Sequence, residues 1–446
     1  MSDQEPDWVR HVMWWQIYPL GFTGAPVRPE AGEQTTDVVH RLGRVEAWLD
    51  HLVETGLNGL LLGPIFASSS HGYDTVDYFR VDPRLGDDGD FDRLVAAARE
   101  RGIRILLDGV FNHVGWGHPA FQALVAKGPD ASTADLFLVR DWSGWEPGKP
   151  VPAEVFEGHG DLMTLDHDAP AVADLVVDVM NHWLDRGIDG WRLDAAYALP
   201  PAFWSRVLPR VREAHPDAWF VGEVIQGDYP AIVAESTMDS LTQYELWQGI
   251  WHGISDGNFY ELQHALGRHD DLLSAFVPLT FVGNHDVTRI ASAVGVELVP
   301  HAVAVLFTVA GTPSVYAGDE FGFPGVKEDR VGGDDAVRPK FADHPPKPDE
   351  LDVQAHTLYG IHRDLIALRR QRPWLHDAHS DVVDLTNQTI VLRTATAEGV
   401  VLAALNIGDE PAALPAADAT TIAAGNGTLT DGQVQLPAHG WAVLTG

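Results

Sequence analysis

The chain alternates between two apolar periodicities for most of its length. Short apolar runs at 13–18, 59–64, 103–108, 189–194, 219–223, 240–245, 279–283 and 313–316 read as strands. Stretches with apolar residues three and four apart, at 38–55, 91–101, 170–186, 201–214, 259–268, 303–310 and 355–371, read as helices. Pro170 and Pro201 suit first helical positions, where the missing N–H costs nothing. Strands joined through helices run parallel, because each helix carries the chain back to the edge it left. Eight such units predict a (β/α)8 barrel.

Two irregularities define further parts. The third and fourth strands are separated by roughly 80 residues, where a crossover needs about a dozen. The segment 114–166, rich in Gly, Pro, Trp and Asp, predicts a small inserted domain or lid. After Arg372 and Pro373 the helical period ends, and β-rich runs at 381–385, 390–395 and 400–407 begin. The expected organisation is a barrel over 1–113 and 167–373, an insert over 114–166, and a C-terminal antiparallel β-sandwich over 374–446.

Four strands end on acidic groups and their partners: Asp108, Asn112 and His113; Arg192 and Asp194; Glu223; His285 and Asp286. A (β/α)8 barrel builds its site from such ends, because the loops after the strands converge there. Side chains alternate along a strand, so Arg192 and Asp194 share one side while Trp191 and Leu193 take the other. This is apparatus for acid/base and nucleophilic chemistry on a neutral, polyhydroxylated substrate. A lone strand-end aspartate is usually a cap or an ion-pair partner. Several ends of the same kind are not explained that way.

Composition removes other classes. Thirty basic residues against 64 acidic ones give a net charge of −34, which repels phosphate backbones and anionic lipids, so neither nucleic acid nor a membrane is an expected partner. Cysteine is absent, excluding disulfides, thiolate metal sites and cysteine nucleophiles. The start, MSDQEPDWVRHVMWWQ, lacks the positive charge and apolar core of a secretory signal. No run approaches the ~20 apolar residues of a membrane span. A cytoplasmic location is the expectation.

DGVFNH at 108–113, GWRLDAA at 190–196, GEV at 222–224 and FVGNHD at 281–286 resemble, in order and spacing, the four signature regions of the α-amylase family, glycoside hydrolase family 13. WWQIYPLGF at 14–22, HGYDTVDY at 71–78 and AGTPSVYAGDE at 310–320 are similar to its flanking segments. The resemblance implies a retaining α-glycoside hydrolase acting on α-linked gluco-oligosaccharides of maltodextrin type. It makes Asp194 the nucleophile, Glu223 the general acid and base, and Asp286 the third carboxylate, gripping sugar hydroxyls. Arg192 would sit beside Asp194 and favour its ionised form. His113 and His285 would bind hydroxyls, Tyr73 would stack under the cleaved sugar, and Asp108 would hold Arg192. Asp74 stands where exo-acting members bind the non-reducing end, although a turn carboxylate there is ordinary loop chemistry.

The chain also departs from the pattern. Calcium-binding, endo-acting members carry a Lys-His pair just after the nucleophile, whereas Asp194 is followed by Ala195, Ala196, Tyr197 and Ala198. Asn112 matches a calcium-binding asparagine, yet calcium takes about six to eight oxygens and Asn112 is the one candidate. No cofactor is expected to be required. Transglycosylation on the same scaffold is the alternative, with a sugar hydroxyl replacing water. A non-catalytic carbohydrate-binding homologue would have lost the carboxylates. A metal-dependent barrel hydrolase would want His-x-His after the first strand, which Gln16–Tyr18 does not offer. Trp116, Trp142, Trp145, Trp247 and Trp251 are candidate sugar platforms.

Overall fold

The computed structural model describes residues 5–28 and 37–446. Residues 1–4 of the amino-terminal stretch read above lie outside them. The eight barrel strands are Trp14–Ile17, Gly59–Leu62, Arg104–Gly109, Gly190–Leu193, Trp219–Gly222, Ser240–Leu241, Leu279–Phe281 and Thr312–Tyr316. Numbered along the chain, their sheet order is 6-5-4-3-2-1-8-7, with parallel pairing. A parallel bridge from Thr242, just past the sixth strand, to Leu279 closes the ring.

Alternation along the strands divides the core. Trp14, Leu61, Leu106, Trp219, Val221, Leu279 and Phe281 pack into one cluster inside the barrel. Their neighbours Trp15, Leu60, Leu62, Leu107, Trp191 and Phe220 belong to the larger cluster shared with the helices. The indoles of Trp14 and Trp219 stack at 5.9 Å, and Trp8 meets both edge-on, plugging the end opposite the site. Trp14 also dictates Gly59, where a Cβ would lie 2.4 Å from its ring.

Several elements differ from the expectation, each for a tertiary reason. The sixth strand keeps two residues rather than running over 240–245. Gln243 is buried and its side chain accepts the Leu246 N–H at 3.3 Å, which starts the helix Tyr244–Ser255. A second helix, Phe259–Leu272, completes that crossover. The helix expected over 38–55 is two, Leu42–Ala47 and Leu49–Thr55. The break falls at Trp48, whose ring stacks on Trp15 at 6.0 Å and whose indole N–H donates to the Ala342 carbonyl at 3.1 Å.

The segment after the third strand contains the helix Pro119–Lys127 and a short antiparallel pair, His113–Gly115 with Leu162–Thr164. Phe121, Leu124, Phe137, Met163 and Leu165 bury its apolar surface against the main core. At the C-terminus a five-stranded and a three-stranded antiparallel sheet enclose Val391, Leu402, Leu414, Val434, Leu436 and Leu444. His301, from the helix Val299–Thr308, ties the barrel to these sheets. Its Nε2 lies 3.1 Å from the carbonyls of Asn406 and Gly440.

Candidate active site

The third and fourth strands pair in the register Asp108 to Arg192, and the fourth and fifth in the register Arg192 to Val221 and Leu193 to Gly222. Arg192 therefore emerges between Asp108 and the end of the fifth strand. Its Nη1 lies 2.6 Å from both oxygens of Asp108 and 3.4 Å from Asp194 Oδ1. Its Nη2 lies 2.6 Å from Glu223 Oε1 and 3.9 Å from Asp286 Oδ2. One buried guanidinium gathers four carboxylates. Just past Asp194 the backbone turns through the left-handed region at Ala195, φ 46°, and its N–H donates to Glu223 Oε2 at 3.0 Å. A side chain in that region is uncommon and costs free energy, so the surrounding packing must hold it.

Charge decides the ionisation of the group. Burial, then the neighbouring Glu223 and Asp108, push the Asp194 carboxyl well above the usual range, and Arg192 only partly opposes them. Arg192 acts in the expected direction, favouring the ionised form. Burial also raises Asp108, against the pull of Arg192. Asp286 goes the other way. Burial works against its charge, but His285 and Arg338 prevail and hold it well below the usual range. Burial drives His113 down to about 4, leaving it neutral at pH 7.

The structure brings the sequence-derived residues together in two layers. Tyr73, Asp74, His113, Asp194, Glu223 and Asp286 line a cleft of about 1830 Å³. Asp108, Arg192 and His285 lie beneath it, fully engaged with neighbours. The His285 Nε2 faces Asp286 Oδ2 at 3.0 Å and the Tyr73 hydroxyl, and its Nδ1 faces Gln16 Nε2 at 3.2 Å. Tyr73 also donates to Asp108 Oδ2 at 3.2 Å. His113 Nε2 meets the Tyr73 carbonyl at 3.0 Å, and Phe156 of the insert stacks on its ring at 4.7 Å. Asp74 is buried; its oxygens accept the Ser70 N–H at 3.1 Å and hydroxyl at 2.6 Å, a turn arrangement at the cleft wall.

Trp247 and Trp251 line the cleft. The other tryptophans do not: Trp142 and Trp145 pack edge to face at 5.7 Å, and Trp116 is exposed elsewhere on the insert. Asn112 turns its amide nitrogen to His113 Nδ1 at 3.1 Å. Among the described residues, the side-chain groups spaced to hold a metal are His40, Asp87 and Asp90, and His252, Asp256 and Glu261. Neither includes a residue of the cleft.

Four contributors were not identified from the sequence. Arg338 lies in the loop after the eighth strand, 2.7 Å from Asp286 Oδ1, with its guanidinium 4.7 Å over the Tyr18 ring. Tyr244 donates to Glu223 Oε1 at 3.1 Å, and Asn284 Nδ2 donates to the Tyr244 hydroxyl at 3.0 Å. Tyr197 bridges to Glu157 of the insert at 2.9 Å. Asn284 stands inside FVGNHD and Tyr197 just after Asp194, so both carry a signal of place, while Tyr244 falls where the apolar run at 240–245 reads as strand rather than helix start.

A closed parallel barrel with a buried carboxylate pair and a third carboxylate at its strand ends is an arrangement on which glycoside hydrolysis can be built. The model of the alpha amylase catalytic domain matches residues 41–351, and the chain belongs to the alpha-amylase family. It is 30% identical over 437 residues to a cyclomaltodextrinase of Geobacillus thermopakistaniensis, covering 92% of this chain and 71% of that one. An intracellular maltogenic amylase of Bacillus subtilis is 29% identical over 343 residues, 72% of this chain and 57% of the relative. The matches thus span between 57% and 71% of the length of these relatives. The cyclic alpha-maltosyl-(1-->6)-maltose hydrolase of Arthrobacter globiformis superposes with a TM-score of 0.82 at 27% identity, covering 99% of both chains. No helix among the described residues is long and apolar enough to cross a membrane.

Proposed function

We propose that this chain is a retaining hydrolase of short α-linked gluco-oligosaccharides. The observation that carries this reading is the single Arg192 guanidinium touching Asp194, Glu223 and Asp286 at once. A carboxyl pair facing one guanidinium suits a double displacement, in which one carboxylate attacks and the other gives and then takes the proton. The ionised form of Asp194, which Arg192 favours from 3.4 Å, attacks the anomeric carbon while Glu223 gives its proton to the departing glycosidic oxygen. The C–O bond breaks as the glycosyl–aspartate bond forms. Glu223 then takes a proton from water, which displaces Asp194 and restores the original anomeric configuration. Asp286, held ionised by His285 and Arg338, accepts sugar hydroxyls as positive charge develops on the ring.

The substrate class follows from the cleft and the relatives. Trp247 and Trp251 offer apolar faces, while the carboxylates of Asp74 and Asp286 offer polar contacts for hydroxyls. The relatives named above are called cyclomaltodextrinase and maltogenic amylase. A cytoplasmic setting fits the intracellular relative. No calcium requirement is proposed, on the sequence ground that Asp194 is followed by Ala195, Ala196 and Tyr197 rather than by a Lys-His pair. Incubation with maltotriose, cyclomaltodextrin, pullulan and soluble starch, with products resolved by chromatography, tests the substrate class. Proton NMR in the first minutes should show the α-anomer. An initial β-anomer would overturn the retaining mechanism, and products longer than the substrate would mark transfer rather than hydrolysis.

A further inference from the structure

Glu223 must hold a proton on one oxygen and yield it to a leaving group, so the donors around its carboxyl decide which oxygen and how readily. Three donors reach it: Arg192 Nη2 at 2.6 Å and the Tyr244 hydroxyl at 3.1 Å meet Oε1, and the Ala195 N–H meets Oε2 at 3.0 Å. A carboxylate oxygen has two lone-pair positions. Those of Oε1 are both occupied by donors, whereas Oε2 keeps one free.

The direction of the tyrosine proton is fixed from behind. Asn284 Nδ2 donates into the Tyr244 oxygen at 3.0 Å, so the hydroxyl's own proton is the one left for Glu223. Asn284 is itself anchored, since its Oδ1 accepts the Asp286 N–H at 2.9 Å. The Tyr244 ring is buried edge-on against Phe281 at 5.0 Å and Trp247 at 5.8 Å. Burial and the adjacent Glu223 keep the phenol from ionising, so it stays a donor. The other charged or titratable groups around Glu223 are Arg192, Asp194, Asp108, Asp286 and Tyr197.

We infer that Tyr244 is a positioning residue for the acid step, an inference that rests on Glu223 being the acid and base. With Arg192 it reserves Oε1 as an acceptor and leaves Oε2 to carry the proton. As that proton passes to the glycosidic oxygen, and the C–O bond pair departs on that oxygen with the leaving group, charge grows on Glu223. The Tyr244 bond strengthens with that charge. A leaving group that is stable as an anion needs no proton, and for it the bond contributes nothing.

The test compares kcat/KM on maltotriose and on 4-nitrophenyl α-maltoside for the wild type, Tyr244→Phe, Asn284→Ala and Glu223→Gln. Phenylalanine preserves the ring packing, and the ratio of the two substrates within one variant is insensitive to how much protein is folded. Tyr244→Phe should lose about ten-fold on maltotriose and less than about two-fold on the aryl glycoside. Asn284→Ala should shift the ratio in the same direction by less. Glu223→Gln should show the strongest selective loss on maltotriose. An unchanged ratio in Tyr244→Phe beside a selective loss in Glu223→Gln would overturn the role of Tyr244 alone. Maltotriose turnover retained in Glu223→Gln would instead remove the acid assignment on which it rests.

Discussion

Arg192 Nη1 lies 2.6 Å from each oxygen of Asp108, its register neighbour on the adjacent strand. The pairing fixes the guanidinium from below, so Nη2 is free to reach Glu223. Asp108 thus acts on the chemistry through Arg192 without touching the cleft.

Asp108→Asn should therefore damage both stability and activity. Arg192 would keep Glu223 and Asp194 but lose its two shortest Nη1 contacts, so the cost should fall below the ~3–5 kcal/mol of a fully unpaired buried charge. Urea denaturation should show that loss, and kcat/KM should fall at least about a hundred-fold. Asp108→Asn with wild-type stability would show that Arg192 is held mainly by Glu223.

Asp194→Asn should abolish turnover, by several orders of magnitude, yet stabilise the fold at neutral pH. Folding raises the Asp194 carboxyl above its unfolded value of about 3.9. Its contribution then favours the fold fully below the unfolded pKa and is lost as pH rises through the folded one. The Tm of Asp194→Asn should exceed the wild type at pH 8, with the gain vanishing near pH 4. A lower Tm at pH 8 would mean that Arg192 stabilises the charged form after all.

Chelation with EDTA should leave both activity and Tm nearly unchanged. A tightly bound structural ion would stabilise the fold by mass action, and stripping it would lower the Tm. A drop reversed by calcium, and absent in Asn112→Ala, would place an ion at Asn112.

Asp74→Ala should reduce kcat/KM on maltotriose by about ten-fold and affect starch less. The expectation follows from a charged hydrogen bond to a terminal hydroxyl, worth ~1.5–3 kcal/mol. The Ser70 contacts give the alternative outcome, in which Asp74→Ala lowers the Tm and changes all substrates alike.

Alternation of apolar runs and helical stretches determined the barrel, because strand and helix periods are local properties of the chain. The polar ends of the third, fourth, fifth and seventh strands determined Asp194, Glu223 and Asp286, since a parallel barrel brings such ends to one rim wherever they fall in sequence. Element ends were a tertiary matter. Trp48 breaks a helix because it must stack on Trp15, and Gln243 ends the sixth strand because its side chain starts the next helix. The balance of charge was tertiary too. Spacing places Arg192 beside Asp194, and the family resemblance expects Asp108 to hold it, but only the folded rim shows that the same guanidinium also meets Glu223 and Asp286. Arg338 and Tyr244 stand in loops and helices with no period of their own. Their roles come from long-range contacts, of 52 residues to Asp286 and 21 to Glu223, that no local pattern encodes.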